Sequence, residues 1–363
     1  MTRFALVGSG WRAGFFVQVA KELPEHFTLS SVVTRSEERA RAVADDWHVP
    51  VHRSVSELLA ADRPDFVIVS VPSSVAVDCL TELAEAGVPA LSETPPASDV
   101  EGLRHLSSLV AGGARIQIAE QYQYQPMHAA RLALTDAGAI GSVSDATISF
   151  SHGYHAFSIM RRHLGVRGEP ARIRASVVQG PVETGFTRAG PRTTAAMGTE
   201  TRTIALVDVA GKLGVYDFGD NQHRSFVRLA HIDVRGSKGE ISDDRVRLVR
   251  GIDEAVTLTL RREQGGVDGD LAGHYLKGIS GPDGWLWRNR YPEARLQDDE
   301  LAVAECMRLM AEHAAGGPGF YGVPDAAQDH YLYLALQQAA ASGEAVTTEV
   351  QPWADGIQPV GNR

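Results

Sequence analysis

Cysteine is nearly absent: Cys79 and Cys306 are the only two in 363 residues. Each lies in an apolar stretch with helical spacing, so they read as buried free thiols rather than a disulfide framework, and a reducing cytoplasm is expected. Long apolar runs are missing as well. None approaches the roughly 20 residues of a membrane span, and the opening Phe4-Ala5-Leu6-Val7 meets Gly8 too soon to be read as a signal peptide. There is no block of Lys or Arg, and 45 acidic against 35 basic residues give a net charge of -10. That balance argues against nucleic acid as a partner. The 13 histidines form no His-Glu-x-x-His and no Cys/His cluster, so no metal site is expected. No Gly-x-Ser-x-Gly follows a strand, which removes the nucleophile elbow. Internal repeats and low-complexity tracts are also lacking.

What is present suits two packed cores: 44% of residues are hydrophobic and 22% charged. Up to residue 119, short apolar strands alternate with helical patterns. The strands are Phe4–Val7, Phe27–Val33, His48–Val51, Asp65–Ser70, Pro89–Ser92 and Ile116–Ala119, and the run at Asp65–Ser70 is continuous, as a strand covered on both faces requires. This alternation predicts a doubly wound parallel sheet. After a helix over Met127–Asp136 the pattern changes to longer strands, at Ser144–Phe150, Ala171–Val178, Thr201–Val209, Lys212–Phe218, Phe226–Val234 and Val246–Val249. Residues 263–297 read as a long glycine-rich loop carrying aromatics, and two helices, Asp298–Ala314 and Asp325–Ala341, close the chain. The fold class is therefore α/β: an N-terminal Rossmann domain over 1–125, then an α+β domain over 126–363 with a large, mostly antiparallel open sheet. Such a sheet face predicts a homodimer or homotetramer.

Gly8-x-Gly10-x-x-Ala13 stands where a dinucleotide fingerprint must stand, after a strand and opening a helix. Gly8 makes the tight turn, Gly10 lets backbone amides approach a pyrophosphate, and Trp11, Arg12 and Ala13 open the helix behind it. At the end of the second strand, where an acidic residue would receive the ribose 2′-hydroxyl of NAD, the chain has Thr34-Arg35-Ser36. Hydroxyls and a guanidinium suit a 2′-phosphate, so the cofactor is NAD or NADP with NADP favoured. Pro72 and Ser73, at the turn after the fourth strand, join this set.

Gly8-x-Gly10-x-x-Ala13, Leu91-Ser92-Glu93-Thr94-Pro95-Pro96, Gly138-x-x-Gly141, Gly153-Tyr154-His155 and Leu164-Gly165 occur in this order, before antiparallel strands. Together with Ala326–Tyr331 and Gln351-Pro352-Trp353, they make the chain similar, over essentially its whole length, to the glucose-fructose oxidoreductase, inositol dehydrogenase and rhizopine-catabolism (Gfo/Idh/MocA) family. The resemblance implies an NAD(P)-dependent dehydrogenase or reductase of a sugar, polyol or related compound, with Glu93, Thr94 and Pro95 beside the nicotinamide. Some members instead use bound dinucleotide for redox-neutral bond cleavage. The family's Glu-Lys-Pro is Glu93-Thr94-Pro95 here, and its Asp-x-Gly-x-His-x-x-Asp element corresponds to Ser151–Ser158, which keeps His155 but has serine at both acidic positions.

His155 is accordingly the leading proton-transfer candidate, because an imidazole exchanges protons near neutral pH. Tyr154 and His152 stand behind it. On a helix start His152 and His155 share a face, whereas on a strand they would point apart. Tyr122, Ser158 and Arg161 are candidate substrate contacts; packing of the tyrosine between domains and solvation of an arginine on a helix face are the ordinary alternatives. Asp217, Asp220, Gln222 and His223 either bond a polyol or are simply turn polarity. Loss of the usual lysine and aspartate leaves two other functions open: a redox-neutral sugar lyase or hydrolase, and a dinucleotide-binding scaffold without catalysis.

Overall fold

A computed structural model describes residues 1–187, 190–281 and 283–358. The first half alternates strictly: β1 (Thr2–Val7), α1 (Ala13–Glu22), β2 (Phe27–Val33), α2 (Glu37–Trp47), β3 (Val51–His52), α3 (Val55–Ala61), β4 (Phe66–Val69), α4 (Ser73–Glu85), β5 (Ala90–Ser92), α5 (Val100–Ala111) and β6 (Ile116–Ile118). All six strands are parallel, in the order β3-β2-β1-β4-β5-β6. The order reverses between β1 and β4, so a crevice opens at their carboxyl ends, next to Gly8. Every residue of β4 is fully buried, which is why its sequence is an unbroken apolar run. Three of these helices, α2, α3 and α5, start at a side-chain cap: Ser36, Ser54 and Asp99 each accept a backbone N–H of the first turn.

The second half holds α6 (Pro126–Asp136), β7 (Val143–Ser149), α7 (Gly153–Leu164), β8 (Ala171–Thr187), β9 (Gly190–Val209), β10 (Lys212–Gly219), β11 (His231–Gly236), β12 (Gly239–Ser242), β13 (Arg245–Gly251) and β14 (Glu254–Thr259). Then come β15 (Arg261–Gly265), β16 (Tyr275–Gly281), β17 (Gly284–Arg288), α8 (Asp298–Ala314), α9 (Val323–Ser342) and β18 (Val346–Thr347). Nine strands form one sheet, β14-β13-β12-β11-β7-β10-β9-β8-β18, antiparallel except where β7 and β10 run parallel. Its buried face meets α7: Phe157 stacks on Tyr216 with ring centroids 6.1 Å apart, and Met160 lies over Gly214.

Four expectations change. β8 and β9 are 17 and 20 residues long, about twice the predicted spans. Their outer halves pair with each other as a hairpin that buries little, so backbone pairing extends them where hydrophobic alternation has ended. Residues 226–230 are not strand: Phe226 and Leu229 are 77% and 84% exposed, and pairing begins only at His231. Residues 263–297 are not one loop either, because β15, β16 and β17 form a separate antiparallel sheet. The glycines that suggest a loop lie where aromatic rings cross the strands: a Cβ on Gly278 would meet Trp287 O at 2.4 Å and the Trp285 ring, and one on Gly265 would strike Tyr275. Cys306 is buried as expected, but Cys79 is only partly so.

Candidate functional site

The crevice at the β1/β4 switch point is a cavity of about 470 Å3. Gly8, Gly10, Thr34, Arg35, Ser36 and Pro72 all line it, with Ser70 and Val71 behind. Gly8 has φ +111°, and a Cβ there would sit 2.1 Å from Ser70 O, so only glycine fits. A Cβ on Gly10 would project into open space, leaving the backbone uncovered toward the cavity. Thr34 accepts a hydrogen bond from the Ser9 hydroxyl at 3.3 Å. Arg53, from the turn before α3, reaches over the same corner, donating to Thr34 O at 3.1 Å and to Arg35 O. Ser36 caps α2 through Arg39 N, and its O–H is still able to donate. Asp78, Cys79 and Glu82 of α4 form the opposite wall. Burial pushes the Cys79 thiol above its usual range, so it stays protonated. A glycine turn opening a helix beside a polar corner fits a dinucleotide.

The other predicted nucleotide residues lie around this cavity without lining it. Ala13 is fully buried in α1, Ser73 begins α4, and Trp11 is exposed, edge-on to Phe15. Arg12 bridges two carboxylates, Glu93 Oε1 and Asp299 Oδ2, each at 2.7 Å. Desolvation pulls this guanidinium's pKa down, but the fields of Glu93 and Asp299 more than offset it and leave the pKa raised. Arg12 thus ties the glycine turn to the Glu93-Thr94-Pro95 loop and to α8.

A second cluster occupies the adjoining carboxyl edge of the sheet. His155, in the first turn of α7, is buried, and its Nδ1 lies 2.6 Å from Oε2 of Glu120, the second residue past β6. The Glu120 side chain is 1% exposed, and its Oε1 accepts the Tyr122 N–H at 3.2 Å. The His155 ring is flanked by Tyr122 (centroids 4.6 Å) and Tyr154 (4.3 Å). The Tyr154 hydroxyl donates to Thr94 O at 3.1 Å, so the residue in the family's lysine position is held by its backbone. Burial raises the pKa of both phenols, keeping them protonated donors. His152 immediately precedes α7, 5.2 Å from His155 and 6.5 Å from His223 between ring centroids. It is reached by solvent in the cleft, yet desolvation by the surrounding protein, followed by the charges of His155 and His223, lowers its pKa to about 4. His223 is lowered for the same first reason, so both imidazoles are neutral at pH 7.

The structure brings His152, Tyr154, His155, Tyr122 and Thr94 together and sets Ser158 and Arg161 apart. Ser158 is buried within α7 and donates to His155 O at 2.9 Å. Arg161 is buried against Asp329 (2.5 Å), Asp325 (3.5 Å) and the Arg167 carbonyl, so its guanidinium is engaged inside the protein. Asp217 pairs with Arg202, and Gln222 with Ser149 O, on strand ends of the second sheet. Glu120, Asp299 and Arg53 escape sequence reasoning. Of these, Glu120 alone carried a signal, its place just past the last parallel strand, where open α/β sheets collect ligands. Among the described residues no three His, Cys, Asp or Glu gather as a metal site, and no helix is long and apolar enough to cross a membrane.

Comparison with known proteins agrees with this architecture. Residues 2–122 match the model of the Gfo/Idh/MocA oxidoreductase family, NAD-binding Rossmann fold. A D-xylose 1-dehydrogenase (NADP+) of Haloferax volcanii is 30% identical over 145 residues, 39% of this chain and 44% of the relative; the match thus spans less than half of that protein's length. Among solved structures, a levoglucosan dehydrogenase in complex with NADH and levoglucosan superposes with a TM-score of 0.68 at 16% identity, covering 95% of this chain and 99% of its own. An oxidoreductase of Agrobacterium radiobacter in complex with NAD+, L-tartaric acid and magnesium gives 0.65 at 18% identity, covering 95% and 98%. These likenesses extend the shared fold through the second sheet.

Proposed function

We propose, from the premise that this chain belongs through residues 2–122 to the Gfo/Idh/MocA oxidoreductase family, that it oxidises or reduces a sugar or polyol carbinol with a bound nicotinamide dinucleotide. The observation that carries the reading is a buried imidazole, His155, at the carboxyl edge of a sheet whose crevice fits a dinucleotide. When bound, the dinucleotide supplies or takes the hydride. Gly8 and Gly10 would cradle it, with the Glu93-Thr94-Pro95 loop tied to the glycine turn by Arg12. His155 takes the hydroxyl proton in oxidation and returns it in reduction. Tyr154 anchors the Thr94 backbone against α7, and Tyr122 offers an aromatic face to an uncharged ring. Ser158 and Arg161 have no part in substrate binding, because their polar groups are engaged within the fold.

NADP is the preferred cofactor. Arg35 and Arg53 face the corner where a 2′-phosphate would lie, no carboxylate ends β2, and the xylose-dehydrogenase relative is an NADP+ enzyme. The second sheet carries exposed Val178 and Ile204 and is the face that would pair copies of the chain into a homodimer or homotetramer. The test is native mass spectrometry of the purified protein with NAD, NADH, NADP and NADPH, followed by a cofactor-reduction screen over neutral sugars and polyols. Tight NADP binding with turnover supports the reading. Product without net reduced cofactor replaces it by a redox-neutral lyase, and binding without any chemistry replaces it by a scaffold. A monomer in light scattering at micromolar concentration overturns the assembly.

A further inference from the structure

We propose that Glu120 is a positioning residue that makes His155 a one-sided proton acceptor, an inference that rests on the hydride-transfer reading above. A carboxylate that is 1% exposed is unfavourable unless something compensates it. Among the described residues the partners of Glu120 are the Tyr122 N–H and the His155 ring, with no Lys or Arg hydrogen-bonded or ion-paired to either oxygen. A well-packed apolar side chain would serve stability at least as well. The pair lies just past β6, at the carboxyl edge of the parallel sheet where open α/β sheets collect ligands.

The geometry gives each oxygen one task. The Tyr122 N–H occupies Oε1 and fixes the carboxylate plane, which leaves Oε2 to accept from Nδ1 at 2.6 Å. In the pairing of an ionised carboxylate with a neutral imidazole the carboxylate only accepts, which puts the ring proton of His155 on Nδ1 and the free lone pair on Nε2. Tyr122 and Tyr154 on either side hold the ring in this orientation. In oxidation the substrate O–H bond breaks, its proton forms the new Nε2–H bond, and the resulting imidazolium carries its positive charge beside Glu120. The C–H electron pair leaves with the hydride in the reaction proposed above. The two partners come from different sheets: Glu120 follows β6 of the parallel sheet, and His155 lies on α7 against the second sheet. Closing the interface between the two sheets therefore assembles the dyad.

The test has two arms on full-length protein. In 15N-histidine-labelled protein, long-range 1H–15N spectra read the His155 tautomer without any substrate, with His155→Asn identifying the signal. The expected result is protonated Nδ1, bare Nε2 and a far-downfield Nδ1 proton that moves upfield in Glu120→Gln and is lost in Glu120→Ala. In the second arm D-xylose and NADP serve as probes, together with any sugar found in the screen. Glu120→Ala lowers kcat about 10²- to 10⁴-fold with KM unchanged within about twofold, and formate restores part of the loss. Should Glu120→Ala fail to fold, the nearly isosteric Glu120→Gln serves in both arms. A protonated Nε2 in the unsubstituted protein, or spectra indifferent to both substitutions, overturns the role of Glu120. Absence of turnover in the unsubstituted protein counts against the hydride-transfer reading alone, and the tautomer arm still decides on Glu120.

Discussion

The two ends of the cleft are built from different materials. The end proposed to hold the dinucleotide is mostly backbone: a glycine turn after β1 and the neighbouring strand ends, supplied by short stretches of contiguous sequence. The end proposed to transfer the proton is made of side chains that meet across the chain. Glu120 and His155 are 35 residues apart, Tyr154 and Thr94 60, and Arg12 and Asp299 287. A backbone cradle tolerates varied neighbours but not a Cβ. A side-chain constellation tolerates backbone variation but not the loss of one partner, and the same chemistry can be rebuilt from different positions.

That contrast can be broken most sharply at its side-chain end. His155→Ala is expected to lower kcat about 10²- to 10⁴-fold while leaving the dinucleotide dissociation constant unchanged; steady-state kinetics beside a binding titration separate the two, and unchanged kcat would remove His155 from proton transfer. The mirror experiment is Gly8→Ala. With φ at +111° and Ser70 O at 2.1 Å from the new methyl, the turn must distort, so NADP affinity falls by about tenfold or more at a strain of about 1–3 kcal/mol. A titration showing native affinity would mean that the turn is not the cradle.

Smaller effects sharpen the picture. Arg53→Ala is expected to reduce the preference for NADP over NAD by about tenfold, the worth of roughly one charge-assisted hydrogen bond. Equal losses for both dinucleotides would instead assign Arg53 to loop packing, where it already holds Thr34 O. The smallest expected effect is on stability. Folded His152 has its pKa lowered to about 4, chiefly by desolvation, and buried His163 is lowered to about 3 for the same first reason, reinforced by Arg131 and Arg162. Between the usual histidine range near 6.5 and these values the unfolded chain binds protons that the folded one refuses, so stability falls as pH drops through that window. Urea midpoints at pH 7 and pH 5 measure the slope, and His152→Gln should flatten it; an unchanged slope would place the effect on His163 and its neighbours.

The same contrast governs how much the sequence disclosed about the fold. β4 is legible because both its faces are buried and all its residues are apolar. β15, β16 and β17 are not, because their glycines make room for the Trp285 and Tyr275 rings, and glycine beside an aromatic reads locally as a turn. Arg161 looks like an anion-binding group on a helix face until Asp329, 168 residues away, is seen to engage it.

What the sequence by itself determined is the set of features whose physics is local: the glycine turn, the helix caps, the continuous strands of the parallel sheet and the change to longer strands after residue 126. It also supplied His155, through a resemblance carried by neighbouring residues. Only the tertiary structure decided that Glu120 faces His155, that Arg12 bridges Glu93 and Asp299, and that Ser158 and Arg161 turn inward. A glycine's conformational freedom is a property of its own position. The role of an ionisable side chain is set by the partner and the burial it meets, and both come from parts of the chain that only folding brings together.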